Sequence, residues 1–388
     1  MRRLAISLAG LLLGGGCWIY AAHGGGHAPD PQGSYGFVLT DFSTALFKNR
    51  DAIDCPDGPS DIVRDGYLAT QTPAERLRLQ RPENAEEFNK KYKVDYIHRP
   101  DGKNVCTNPE VFDHAPQRLV QSKMAYGLDL DGNDGSKPAS ADTCPHQNFQ
   151  GPGGEAGVDN QYYRAIACNL FWRGKEGGVG DSIAAAKQGR ATSGQAYVLM
   201  VRGVDDWRND DNVEVTIAST PDTPSTDNAK AILAGGSLTL SDDPRWRNVG
   251  RGRIHDGVLT TDPMDIRLPS MWNTTPGSIY LKRARLRLEV LPTGELKGIA
   301  AGYQPLENLY GSTRQSGYAL AAAVGVDCAS IYKTLKSVAD GDRDPRTGQC
   351  TSLSTAFDVA ASPAYLFDKG DVLVANRVGR RLTVSDRR

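Results

Sequence analysis

The stretch Ser278–Leu291, "SIYLKRARLRLEVL", decides how the chain is read. Within it Ala284, Leu286, Leu288 and Val290 share one face, while Arg283, Arg285, Arg287 and Glu289 share the other. A period of two, with charge on one side and aliphatic carbon on the other, predicts a half-buried β-strand. Upstream, "NVEVTIAST" (Asn212–Thr220) alternates in the same way, with Val213, Val215 and Ile217 on one face. "QAYVLMVRGV" (Gln195–Val204) is a nearly continuous apolar run, which suits a central strand. "GSLTLS", "DGVLTT", "MDIRLP" and "GELKGIAAGY" add short strands divided by Gly, Pro and Asp, and "TAFDVAASPAYLF" looks like a strand returning to the sheet. The expectation is a mainly β protein: an antiparallel β-sandwich or jelly-roll-like core, a few peripheral helices, and disulfide staples.

Helical signals are fewer. "TPAERLRLQ" offers Thr72 as N-cap, Pro73 in the first turn and Glu75 to complete a capping box. "SGYALAAAVGV" and "CASIYKTLKSVADG" carry apolar residues at helical spacing, with Gly341 as a C-terminal cap. The chain therefore divides into residues 1–22 as a signal peptide or N-terminal membrane anchor, and 23–34 as a flexible tether. Residues 35–120 form an irregular, partly helical cap. A β-rich core follows over 121–367, with a helical insertion near 317–340, and 368–388 is a tail.

The compartment is read from the first residues. Arg2 and Arg3 precede an apolar run, Leu4–Leu13, as in an export signal. Three endings stay open: lipidation at Cys17, cleavage after Ala21 or Ala22, or an uncleaved span of 19 uncharged residues, Leu4–Ala22. Each places the remaining chain in the periplasm or outside the cell. Cys55, Cys106, Cys144, Cys168, Cys328 and Cys350 then suggest disulfides, and no CxxC favours a zinc ribbon or redox motif. Nearness in sequence favours Cys55–Cys106, Cys144–Cys168 and Cys328–Cys350. A net charge of -1 argues against a nucleic-acid partner, because phosphate affinity comes from an excess of Lys and Arg.

One turn points to an ion. In "AYGLDLDGNDG" (Ala125–Gly135), Asp129, Asp131 and Asn133 alternate, Asp134 follows, and Gly132 and Gly135 let the backbone curl. Calcium takes roughly six to eight oxygens at about 2.3 to 2.6 Å, and such a turn gathers several. The EF-hand pattern fails, since its glycine position holds Asp134 and its closing glutamate position holds Ser140. Further ligands come from "GVDNQYY", in Asp159 and Asn160. The competing account is an Asx turn stabilised by its own side chains.

Other chemistry is weaker. Arg283, Arg285 and Arg287 could grip carboxylates or phosphates, or pair with Asp205, Asp206, Asp210, Asp211 and Glu214. His23 would be N-terminal after cleavage at Ala22, but "HGGGH" lacks the rigidity that a copper ligand needs. No GxSxG, HExxH or P-loop occurs, and "SIYK" (Ser330–Lys333) lacks its companion motifs. Trp172, Trp207, Trp246 and Trp272 serve a core or a sugar-stacking platform.

"AYGLDLDG", "TCPHQNF" and "GVDNQYYR" together resemble a group of exported proteins and lipoproteins of proteobacteria with a DLDG…Cys…GxDNQ signature and no assigned function. The similarity covers roughly Ala125–Phe367 and implies a β-rich exported protein without implying an activity. The combined expectation is a non-enzymatic, calcium-stabilised binding module of the envelope, with a carbohydrate or anionic envelope ligand. The alternative is a secreted hydrolase of polysaccharide or ester substrates.

Overall fold

The computed structural model describes residues 33–60, 63–175, 178–192, 194–272, 275–323 and 326–368. The signal or anchor, Cys17, His23, most of the tether and the tail beyond Asp368 lie outside the described residues.

The strands are β1 (Tyr35–Thr44), β2 (Tyr197–Arg202), β3 (Asn209–Ser219), β4 (Ser237–Thr239), β5 (Arg247–His255), β6 (Val258–Thr261), β7 (Met264–Trp272), β8 (Thr275–Val290), β9 (Leu296–Pro305), β10 (Gly341–Arg343), β11 (Cys350–Pro363) and β12 (Tyr365–Phe367). The helices are α1 (Asp51–Asp54), α2 (Val63–Ala69), α3 (Pro73–Leu79), α4 (Ala85–Lys90), α5 (Gln161–Ile166), α6 (Leu170–Arg173), α7 (Asp181–Gly189), α8 (Leu306–Ala323) and α9 (Cys328–Ser337).

The mainly antiparallel β class is as expected, but the arrangement is not two sheets face to face. Pairing runs β1-β2-β3-β5-β6-β8-β9-β11, and β11 pairs back to β1. The sheet thus closes on itself as an up-and-down barrel, with β10 extending β11 and β7 paired to the first half of β8. The closing strand is the correction: Tyr35–Thr44, placed by the sequence in a cap, lies between β2 and β11. A bulge between Leu39 and Asp41 shifts its phase, so Phe37, Leu39 and Phe42 all reach the interior and the alternation is hidden.

Alternation in β8 holds from Ala284 onward, where Ala284, Leu286 and Leu288 are buried and Arg287 and Glu289 exposed. A bulge over Lys282–Arg285, with Arg283 at φ 50°, puts Leu281 inside as well. β2 reads as a continuous apolar run because both its faces are covered. Tyr197, Leu199 and Val201 fill the barrel, and Val198 and Met200 meet Leu238 and Leu366 from the parallel pair β4–β12. One barrel end is plugged by Trp207 edge-on to Tyr35 at 4.9 Å. At the other, Phe42 and Phe357 stack at 4.8 Å beneath α7 and α8.

Outside the barrel, α3 begins as its sequence requires: the Thr72 hydroxyl accepts from the Glu75 N–H at 3.3 Å, with Pro73 in the first turn. Glu75 turns instead to Arg78 at 2.8 Å. α9 is capped by Asp327 and ends at Val338, so Gly341 opens β10 rather than closing the helix.

All six cysteines pair, but each expected pairing is replaced. The bonds are Cys55–Cys168, Cys106–Cys328 and Cys144–Cys350, at sequence separations of 113, 222 and 206. The segments that wrap the barrel meet partners from the far end of the chain, so nearness in sequence does not govern. In the chain-entropy account each closure of this length contributes about 5 kcal/mol through the unfolded state.

Two measurements check this fold. Leu286 is fully inside, so Leu286→Asp places an unpaired charge in the barrel and should cost more than about 4 kcal/mol in urea denaturation. Arg287→Gln, on the exposed face, should change stability by less than about 1 kcal/mol; equal effects would contradict the strand's orientation. The second concerns Asp358, beside β1 on the barrel's outer face, where burial and then Asp41 push its carboxyl up to about 7. An acid raised in the folded state stabilises fully below its unfolded value, and that contribution is lost as pH rises through about 7. Stability should therefore fall between about pH 4 and pH 7, and Asp358→Asn should flatten that decline; an unchanged profile would contradict it.

Candidate metal centre

The "DLDG" turn forms because its carboxylates accept from its own backbone. Asp129 Oδ1 takes the Gly132 N–H at 2.6 Å, Asp131 Oδ1 takes that of Asn133 at 2.9 Å, and Gly132 sits at φ 73°. The turn is then laid against the "GVDN" segment. Leu128 and Asp159 form an antiparallel bridge, and Asp159 Oδ2 accepts from the Leu130 N–H at 2.8 Å. Gly157, at φ 71°, packs so closely that a Cβ there would lie 3.3 Å from Asp129 Cγ.

Two further elements complete the cluster. Asp340, between α9 and β10, accepts from the Ser354 N–H through Oδ1 at 2.7 Å and is fully buried. His146 reaches Asp159 Oδ1 at 2.8 Å through Nε2, with Asp340 Oδ2 at 4.0 Å. Its Nδ1 lies 2.9 Å from the Cys144 carbonyl, which only accepts, so Nδ1 carries a proton. The Cys144–Cys350 bond and the Cys144 N–H to Asp340 carbonyl bond, 2.9 Å, hold these segments together. Tyr303 of β9 lies beneath, its ring against Gly341, where any Cβ would overlap it.

The electrostatics are those of crowded acids. Burial and then Asp159 raise the Asp131 carboxyl, and burial, reinforced by Asp159 against the opposing His146 charge, pushes Asp340 up to about 7. For His146, burial opposes the charge, but the Asp159 hydrogen bond and Asp340 outweigh it and lift the ring to about 9. The Tyr303 hydroxyl is pushed up by burial and by Asp340, Asp159 and Asp131. Three buried atoms here have no hydrogen-bonding partner among the described residues: Asp131 Oδ2, Asp340 Oδ2 and the Tyr303 hydroxyl. An orphaned buried polar atom is costly, and three in one place mark a site that a cation would satisfy.

Two overlapping sets could hold a metal ion: Asp129, Asp131 and Asp159, all oxygen, and His146, Asp159 and Asp340, mixed nitrogen and oxygen. In each, the ligand atoms lie within 4.8 Å of one another. Of the six residues singled out in sequence, three meet here. The rest do not. Asn133 spends its amide on the turn, accepting from Gly135 N–H and donating to the Lys137 carbonyl. Asp134 is exposed and accepts from the Ser136 N–H, and Asn160 caps α5 through the Tyr163 N–H. His146, Asp340 and Tyr303 were missed. His146 stood in "TCPHQNF" beside a cysteine, the one local signal available.

The arginines clamp this assembly. Arg285 Nη1 donates to the Asp129 carbonyl at 2.8 Å, Arg283 pairs with Asp342 at 2.9 Å and Arg287 with Glu155 at 3.6 Å. They do not form a free ladder, and none of these partners is among the acids of 205–214. Elsewhere, His114 bonds Asp327 at 2.8 Å and stacks on Tyr96, a buried pair that fixes α9. Lys333 of "SIYK" donates to the His114 carbonyl at 2.9 Å.

Because the Tyr303 hydroxyl has no partner, Tyr303→Phe in excess chelator should leave stability unchanged or raise it by about 1 kcal/mol. A loss of about 2 kcal/mol in urea denaturation would show that the hydroxyl is satisfied. Comparison of the chain with protein-family models, with curated proteins and with solved structures finds no match.

Proposed function

We propose that this chain is an exported, non-enzymatic binding module whose barrel mouth takes a ligand and whose buried acidic centre holds calcium as a structural ion. The observation that carries the binding role is the barrel's asymmetry. One end is plugged by Trp207 and Tyr35, and the other opens into a cavity of about 840 Å³ between α6, α7, α8 and the β7–β8 hairpin. That volume lies within the range of small-molecule sites, which favour the mouths of barrels. Export is supported by the disulfides, which persist in oxidising compartments. Among the described residues no helix is long and apolar enough to cross a membrane.

Calcium is favoured by the all-oxygen set, in which the orphaned Asp131 Oδ2 is a free hard donor. His146, held charged by Asp159 and Asp340, then balances the remaining acids rather than ligating. The ion's work is to pin the turn at Asp129–Asp131 to Asp159, and through Arg285 to the barrel wall.

An ion bound only by the folded chain stabilises it by mass action. Millimolar calcium should raise the melting temperature and EDTA lower it, with Asp131→Ala losing that difference. Magnesium should restore stability poorly, because it keeps a smaller, hydrated octahedral shell. Coincident wild-type curves in calcium and EDTA would reject the ion. Rescue by zinc but not calcium would move it to the His146 set and reject calcium.

A further inference from the structure

The cavity at the barrel mouth is lined by a cation to which the described residues supply no counter-ion. Arg190, just after α7, is 4 % exposed and lines the cavity. Its guanidinium carbon lies over the Tyr197 ring, 4.0 Å from the centroid, and Nε donates to the Ala186 carbonyl at 3.2 Å. Nη1 is buried and has no partner among the described residues. A buried guanidinium is tolerated when paired, so an unpaired one on a residue that lines a cavity marks where an anion is missing. The cavity's acids do not supply it. Glu307 is 73 % exposed at the rim and meets Arg314 at 3.6 Å, and Asp181 is exposed at the start of α7. The cavity is lined by apolar and aromatic side chains, Phe42, Phe357, Trp172, Trp246 and Ile279 among them, together with polar ones such as Gln195 and Asn308. A second buried atom without a partner among the described residues, the acceptor Gln304 Oε1, belongs to a residue that also lines the cavity.

A hydrophobic vault with one desolvated guanidinium selects for shape and charge together. The apolar walls take a hydrocarbon or aromatic body, and the planar fork takes a carboxylate. Resting on the binding-module reading above, we propose that the barrel mouth binds an amphipathic monocarboxylate, its acid group on the Arg190 guanidinium and its apolar body over the Phe42–Phe357 pair. A neutral apolar molecule of the same length fills the vault but leaves the guanidinium unpaired, and so binds more weakly.

The test is calorimetric titration of the full disulfide-bonded chain with two probes, dodecanoate and dodecan-1-ol. Wild type should bind dodecanoate at least ten-fold more tightly than the alcohol. Arg190→Gln should bind both alike, near the alcohol's affinity, while Arg314→Gln at the rim should keep the preference. Equal binding of the two probes to wild type would overturn the Arg190 assignment and leave the binding cavity standing. That comparison needs no variant to fold. Binding of neither probe would overturn the monocarboxylate proposal. Should a panel of uncharged and cationic amphiphiles then also fail to bind, the binding-module reading falls with it.

Discussion

The structure depends on the hydrogen-bonded pairing of β1 with β11. An antiparallel sheet left open offers two unpaired edges to other chains, and closure removes them. Residues 37–44 pair with residues 357–363 across one bulge, so the first described strand and the last long one share a seam. The interior then needs every strand: Phe37 and Phe42 from β1 pack with Leu199, Ile217, Leu286 and Val359 in one cluster. The bulges in β1 and β8 fit this closure, since an extra residue bends a strand and increases its twist where a barrel must curve.

Closure also sorts the surfaces. The outer face of β2 is roofed by β4 and β12, and that of β9 and β11 by the Ala125–Asn160 loop. Acids are gathered under this second roof at considerable electrostatic cost. What opposes their repulsion is covalent and backbone structure: Cys144–Cys350 on one side, and the Leu128–Asp159 bridge on the other. Arg283 and Lys282 meanwhile hold Asp342, whose carboxyl is kept below its usual range because their hydrogen bonds, with Ser352, outweigh its burial. The crowded carboxylates therefore sit on a frame held by disulfide and backbone bonds.

The two barrel ends differ for a reason of composition. The β2–β3 loop carries Trp207, large enough to close its end, whereas the chain between Thr44 and Tyr197 and the helix α8 build walls around the other instead of a plug. The cavity and the acidic centre lie on opposite sides of β9. Tyr303 points outward to the acids, and its neighbour Gln304 points to the cavity. A single strand thus serves both sites through the alternation of its side chains.

The sequence by itself determined the β class, because a two-residue period is local: Val213, Val215 and Ile217, or Ala284, Leu286 and Leu288, share a face whatever lies beyond them. It also determined that Asp129 and Asp131 would share a turn, since the Gly and Asp chemistry of that turn is set within a few residues. Tertiary structure decided the rest. β1 was illegible because one bulged residue breaks its alternation, and only pairing with both neighbours shows that it is a strand. The cysteine partners, the arrival of Asp340 and Tyr303 beside Asp159, and the isolation of Arg190 depend on segments far apart in the chain. Such contacts leave no periodic mark in the sequence, for they are fixed by barrel closure and not by the residues beside them.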